Sequence, residues 1–360
     1  MKLALMLGGT ASKNIPSFYV KNGTMYDFKH NKPHIFEAAL SPQFVTQIWN
    51  FCFFYKEGVF LNLADWDATS PNSAKLGDEL PDFDFDVIVY ANERWGLDDK
   101  YWDKYSVARL KNKYPKAKVI GYVKEITVPD YRYKGWIRFL NDCDQVMAPA
   151  IDTLRELPKY KEIQSELNKK INYCSPSPDN INLIYDKFYS DKKNNSIFIY
   201  VPTSINRRGD TVSFAGYISK KYNIPLVHKP YETYIDENGV EIWEILADAK
   251  GSMSWEDFMN LMTPCMYHFN LDPSEMQPGQ QAIMVANVGS INIGGVNESH
   301  HILYPETATC DVEILEKRFV EYLNNPEKRF EVVKYAWDKL NEFYGSVVVK
   351  KQLLHVLNQK

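Results

Sequence analysis

The sequence predicts an α/β protein of two domains, each built on a mostly parallel sheet with helices on both faces. Three observations carry this expectation. At 360 residues the chain exceeds what one hydrophobic core usually serves. Short apolar runs alternate with segments of helical spacing from end to end. One solvated, strand-breaking stretch, Ser190 to Asn195 (SDKKNN), divides that series in two.

The elements follow in order. Lys2 to Leu7 is a buried strand that stops at Gly8-Gly9-Thr10, a glycine turn of the kind that often faces a ligand. Pro42 to Tyr55 has helical spacing, and Gly58 to Leu63 reads as the second strand. Asp65 to Pro81 is loop. Phe85 to Tyr90 is the third strand, Lys100 to Lys111 a helix and Lys118 to Val123 the fourth strand. A helix at Trp136 to Leu140, a strand at Gln145 to Ala148, a helix at Lys161 to Lys169 and a strand at Ile171 to Cys174 complete the first series. In the second series Ser196 to Val201, Pro225 to His228, Met266 to Asn270 and Ser290 to Ile293 read as strands. Val212 to Lys221, Trp255 to Thr263 and Gln280 to Ala286 read as the helices between them. Val312 to Leu323, Glu327 to Tyr344 and Val348 to Leu357 are closing helices. Two such domains facing each other would place ligands at the carboxyl ends of both sheets, in a cleft.

Composition narrows the classes. With 45% hydrophobic and 14% aromatic residues the chain is not a disordered or low-complexity protein. Lys plus Arg number 42 against 46 Asp plus Glu, a net charge of −4, so any grip on nucleic acid must come from a local basic patch. No apolar run reaches the length of a membrane span, and Met1 to Leu7 is too short for a signal peptide, so the expectation is a cytoplasmic protein without a membrane partner. The five cysteines are scattered, without zinc spacing, and read as reduced and mostly buried. No metal site is expected. Asp82, Asp84 and Asp86 form a DxD pattern, but they precede their strand and so read as a solvated strand entry.

Two segments carry chemistry. Gly251 to Gly295 runs helix, strand, a DPSE loop, a second helix opened by Pro278-Gly279, and a further strand. A helix N-terminus offers unpaired N–H groups and a positive dipole end to an anion. Tyr114 to Asp130 (YPKAKVIGYVKEITVPD) is a lysine-flanked strand ending in an acidic residue, preceded by the Asp-rich PDFDFDVIVYAN. The first segment resembles the nucleotide-sugar half of the GT-B glycosyltransferases. The second, over about residues 82–130, resembles the phage DNA β-glucosyltransferases.

That resemblance implies a GT-B fold with an N-terminal acceptor domain over 1–190 and a nucleotide-sugar domain over 191–330. Helices over 331–360 would then return to the first domain. It implies donor contacts from Asp272, Ser274 and Glu275 to the sugar, and from Pro278, Gly279, Gln280 and Gln281 at the helix opening. Arg207 and Arg208 would meet the diphosphate, a task suited to the planar guanidinium fork. Gly8 and Gly9 would allow close approach of a sugar. The slot for a ribose-binding glutamate is occupied by Met284, which leaves the ribose to Gln280 or Gln281. His300-His301 falls in a polar loop near the donor.

Glu125 takes the slot of the catalytic base that would deprotonate the acceptor hydroxyl, with inversion at the anomeric carbon. In a retaining enzyme it would only bind acceptor. Asn92, Glu93, Lys124, Tyr131, Arg132, Tyr133, Lys134 and Trp136 are acceptor candidates; Trp136 and Phe139 equally fit a helix's core face. The expected donor is a nucleotide sugar, UDP-glucose first, with Mg²⁺ loosely held on the diphosphate. The expected acceptor is a hydroxymethyl pyrimidine in double-stranded DNA, and the expected state a monomer. The alternatives are transfer to a saccharide, lipid-linked sugar or protein, and a non-catalytic sugar-nucleotide or polysaccharide binder.

Overall fold

The computed structural model describes residues 1–8, 17–22, 24–28, 57–66, 79–92, 102–122, 130–148, 158–175, 188–190, 192–199, 209–228, 232–235, 241–244, 255–273 and 279–359. The chain forms two compact units. The first takes in Met1–Phe36, Gln43–Ser177 and Val347–Lys360; the main segment of the second is Pro178–Ser346. The division thus falls at 177/178 rather than 190/191, and the return to the first unit begins at 347 rather than 331.

The first unit holds an eight-stranded sheet in the order β3-β2-β4-β1-β5-β6-β7-β8. Its strands are β1 (Leu3–Gly8), β2 (Phe18–Lys21), β3 (Thr24–Asp27), β4 (Glu57–Asn62), β5 (Val87–Asn92), β6 (Lys118–Tyr122), β7 (Gln145–Ala148) and β8 (Ile171–Tyr173). From β4 to β8 all neighbours are parallel, while β2 runs antiparallel to both β3 and β4. Every residue of β1 and β5 is buried, which is why both read as continuous apolar runs rather than alternating ones. The β2–β3 hairpin was not among the expected strands. Its connection contains Asn22, whose φ is 53°, beside Gly23 in sequence, the dipeptide that a tight hairpin favours.

The chain leaves β1 toward β4 on one side and returns to β5 on the other, so the carboxyl ends of β1 and β5 flank a topological switch point. Helices α1 (Trp102–Tyr105), α2 (Val107–Lys113), α3 (Asp130–Asp142) and α4 (Pro158–Glu166) follow their strands. The expected helix over Lys100 to Lys111 is broken at Ser106, whose hydroxyl caps α2 by accepting the Arg109 N–H at 3.2 Å. In α3 the buried positions Trp136, Phe139 and Leu140 follow the helical repeat onto one face. The last helix, α11 (Ser346–Asn358), closes on this unit. The Lys118 ammonium donates to the carbonyls of Leu357 (2.6 Å) and Gln359 (2.7 Å), and the Gln352 side chain accepts the Ser175 N–H at 2.8 Å. A cation on the final carbonyls also suits the negative end of the helix dipole.

The second unit holds a parallel four-stranded sheet, β10-β9-β13-β14, with β9 (Asn194–Ile199), β10 (Leu226–His228), β13 (Cys265–Phe269) and β14 (Ile291–Ile293). A separate hairpin, β11 (Glu232–Ile235) with β12 (Glu241–Glu244), was also not expected. The remaining helices are α5 (Gly209–Tyr222), α6 (Trp255–Met262), α7 (Gln280–Asn287), α8 (Glu298–Leu303), α9 (Val312–Asn324) and α10 (Pro326–Tyr344). One face of the sheet packs Ile197, Tyr267, Phe269 and Ile291 against Phe214 of α5 and Phe319 of α9. The other packs Phe198 against Phe258 and Met262 of α6 and Met284 of α7. Asp311 and Asn325 cap α9 and α10, the latter followed by Pro326 at the position where a missing N–H costs nothing. Among the described residues no helix is long and apolar enough to cross a membrane.

Candidate functional site

In the second unit the chain passes from β9 through α5 to β10 on one side, then to β13 on the other, so the switch point lies at the carboxyl ends of β9 and β13. Four pieces of backbone meet at that edge. The chain leaving β13 passes Asn270, Leu271 and Asp272, all buried. The Leu271 N–H donates to the Thr211 hydroxyl at 2.9 Å, which ties this strand end to the first turn of α5. The Asp272 carbonyl accepts the Val296 N–H at 3.1 Å, and the Asn270 N–H reaches the Ile293 carbonyl at 2.9 Å. Beyond β14, Gly294 and Gly295 turn the chain with φ of 95° and 92°, conformations that a side chain would strain.

Helix α7 opens at Gly279, which sits at φ 70° as its N-cap and supplies no side-chain cap to the first turn. A side chain could not stand there: a Cβ would lie 1.9 Å from Asn297 Oδ1 and 2.0 Å from Ser299 Oγ. The Ala282 and Ile283 N–H groups turn back onto the Gly279 carbonyl at 3.0 and 3.5 Å, and the positive end of the helix dipole at this opening favours a negative group. This edge therefore combines a buried carboxylate residue at 2% exposure with an uncapped helix opening and two glycine turns.

Of the expected donor residues, buried Asp272 follows the end of β13, Gly279 is the N-cap of α7, and Gln280 and Gln281 are the first two residues of that helix. Met284 packs in the apolar layer with Phe198 and Phe258, so the ribose slot on this helix is core. Gly9, Arg207, Arg208, Ser274, Glu275 and Pro278 lie outside the described residues. Thr211, Asn297 and Ser299 were not singled out in the sequence. Asn297 carried a signal, since Asn three residues before His300 is the spacing of an N-cap, and its side chain accepts the His300 N–H.

In the first unit, Gly8 of β1 and Asn92 of β5 are register partners at the carboxyl edge. The close approach at Gly8 is intramolecular: a Cβ there would stand 2.1 Å from the Tyr90 hydroxyl, which donates to the Tyr105 carbonyl at 2.6 Å. Asn92 Nδ2 donates to that same carbonyl at 3.2 Å. Glu93, Lys124 and Glu125 lie outside the described residues, and Tyr131, Arg132 and Tyr133 are placed only as backbone of α3. Lys134 is exposed. Trp136, at 3% exposure, lies on the core face beside Phe139 and Leu140, and its acceptor assignment gives way to a packing role. Arg138 lies over the Trp102 ring, 4.0 Å from its centre.

Asp82, Asp84 and Asp86 are exposed at the entry to β5 and pair with Lys113, Lys2 and the amino terminus. Cys143, Cys174 and Cys265 are buried free thiols, and burial pushes Cys174 up to about 12, which keeps it unreactive at neutral pH. Among the described residues no group of three His, Cys, Asp or Glu side chains is arranged to hold a metal ion.

No protein-family model matches the sequence, and no curated protein matches it. Solved structures do match in fold. The phage T4 alpha-glucosyltransferase, in complex with UDP and a 13-mer DNA containing a HMU base, aligns over 100% of this chain and 99% of its own at 11% identity, with a TM-score of 0.62. Anabaena HepE in complex with UDP aligns over 99% of each chain at 10% identity and a TM-score of 0.54. S. aureus TarM aligns over 76% of this chain at 10% identity and a TM-score of 0.53; the chain spans 55% of its length. These likenesses show the fold: the chain has the GT-B architecture, with a Rossmann-like sheet in each unit.

Proposed function

We propose that the protein is a glycosyltransferase that draws a sugar from a uridine diphosphate sugar and transfers it to a hydroxymethyl pyrimidine in DNA. The observation that carries this reading is the carboxyl edge of the second sheet, where α7 opens uncapped at Gly279 beside buried Asp272. The departing diphosphate would gather negative charge at that opening, which the N–H groups there would stabilise without reorganising, and the Arg207 and Arg208 guanidiniums would add paired contacts to its oxygens. Asp272, Ser274 and Glu275 would hold the sugar hydroxyls, and Pro278 would lead the chain into the helix opening. Gln280 or Gln281 would hold the ribose, since the Met284 side chain is committed to the core.

The acceptor belongs to the first unit in this reading, with Asn92, Glu93, Lys124, Tyr131, Arg132, Tyr133 and Lys134 as its contacts. A duplex base must leave its stack to be glucosylated, which costs a few kcal/mol and calls for aromatic surface near the site. Tyr131 and Tyr133 remain for that task once Trp136 is assigned to the core. The likeness to a transferase solved with DNA and UDP over its whole length supports DNA as acceptor. That neighbour is an alpha-glucosyltransferase rather than a β-enzyme. UDP-glucose is itself α-linked, so an α product means retention, and Glu125 is then an acceptor-binding residue rather than an inverting base.

A second reading, transfer to a saccharide, is favoured by the likeness to TarM, solved in complex with fondaparinux, alpha-GlcNAc-glycerol and UDP, and by the net charge of −4, since phosphate contacts dominate DNA affinity. One experiment separates the two. Labelled UDP-glucose, with other nucleotide sugars in parallel, is incubated with the full chain and hydroxymethylated DNA, unmodified DNA or oligosaccharides. The proposal predicts label on hydroxymethylated DNA alone, with an α linkage by NMR. Label on oligosaccharides and none on either DNA would replace it with the second reading.

A further inference from the structure

The connection between β13 and α7 starts at Asp272 and ends at Gly279, and the same short stretch of chain meets both ends. At the first, the Val296 N–H donates to the Asp272 carbonyl at 3.1 Å. At the second, the Ser299 hydroxyl donates to the Gly279 carbonyl at 2.7 Å, while the Asn297 side chain fills the space that a side chain on Gly279 would need. Asn297 is itself held. Its Oδ1 accepts the His300 N–H at 3.4 Å and the His300 Nδ1–H, which must carry the proton because an amide oxygen only accepts. The His300 ring stands against Gly295, where a Cβ would come within 2.7 Å of Nε2. All three side chains are buried.

This is more than α8 needs for its own start. A cap on α8 requires only the Asn297 oxygen on the His300 N–H. The Ser299 hydroxyl lies 3.1 Å from Asn297 Oδ1 but closer, at 2.7 Å, to the carbonyl of Gly279 twenty residues away, and Asn297 fills the space that a side chain on Gly279 would need. The left-handed turn at Gly279, and with it the direction of the first N–H groups of α7, is thus set from α8.

We propose that Asn297, Ser299 and His300 are positioning residues of the donor site, which aim the opening of α7 at the diphosphate without touching it. The inference rests on the donor reading above. Its test measures UDP binding by calorimetry and thermal unfolding for the full chain and for Ser299→Ala, His300→Ala and His300→Asn. Ser299→Ala and His300→Ala are expected to weaken UDP about tenfold. His300→Asn, which keeps an N–H donor near the place of Nδ1, is expected to recover most of that loss. Ser299→Ala removes a single oxygen and keeps the test open if His300→Ala does not fold. Cooperatively folded variants that bind UDP within twofold of the unaltered chain would overturn the inference. So would a loss that tracks unfolding temperature alone, with His300→Asn no better than His300→Ala. If the unaltered chain binds no UDP, the donor reading falls first and this inference with it.

Discussion

His268 shows what one buried residue contributes. It lies fully buried in β13 beside the Phe198 ring. The Cys265 and Met262 carbonyls only slightly favour its proton. Burial and then the nearby Lys193 ammonium hold it down to about 3. The unfolded chain takes up a proton on this histidine as pH falls through about 6.5 and the folded chain does not, so stability is full above that pH and is lost below it. Between pH 7 and pH 5 this histidine alone predicts a loss of about 2 kcal/mol in unfolding free energy. Denaturant titrations of the protein and of His268→Phe should differ in slope by about one proton across that window. Identical pH profiles would mean that His268 is not buried neutral. The lowered carboxylates Glu306 and Glu316 act in the same direction only at lower pH and leave this window clear.

Elements that depend on their own residues were legible. β7 begins and ends where its apolar run does, and the buried run of β1 ends at the predicted glycine turn. The two hairpins went unread although each contains Asn-Gly, at Asn22-Gly23 and Asn238-Gly239, because their strands are four residues long and mixed in polarity. Contacts across long sequence separation left no such trace. Thr211 meets Leu271 and Ser299 meets Gly279 only because α5, α7 and α8 converge on one sheet edge. The docking of α11 is of the same kind, with Lys118 reaching Leu357 and Gln359 across the whole chain. Lys118→Met should lower stability by about 1–2 kcal/mol, the usual worth of a charged donor on carbonyls that are partly buried. Chemical denaturation measures this, and an unchanged midpoint would show that α11 holds without it.

For the whole molecule the sequence conveyed two α/β units and the edges where ligands would gather, but not where one unit stops. Ser190 to Asn195 is polar enough to resemble a linker, yet Phe188 ahead of it already packs with Phe198 and Met284 in the core of the second unit. Helix α10 stays with the second unit through Ala336, Leu340 and Tyr344, which pack on Ala282 and Ile283 of α7, so only α11 returns. The core behind the α7 opening is therefore contributed largely by the second unit's closing helices. In the proposed function this unit's sheet edge receives a nucleoside diphosphate. Calorimetric titration of UDP into the full chain, beside Gly279→Ala, decides this. Saturable one-to-one binding is expected, and Gly279→Ala should abolish it, since its Cβ would strike Asn297 and Ser299 at a φ of 70°. No heat of binding to the unaltered chain, or equal binding by the variant, would contradict it.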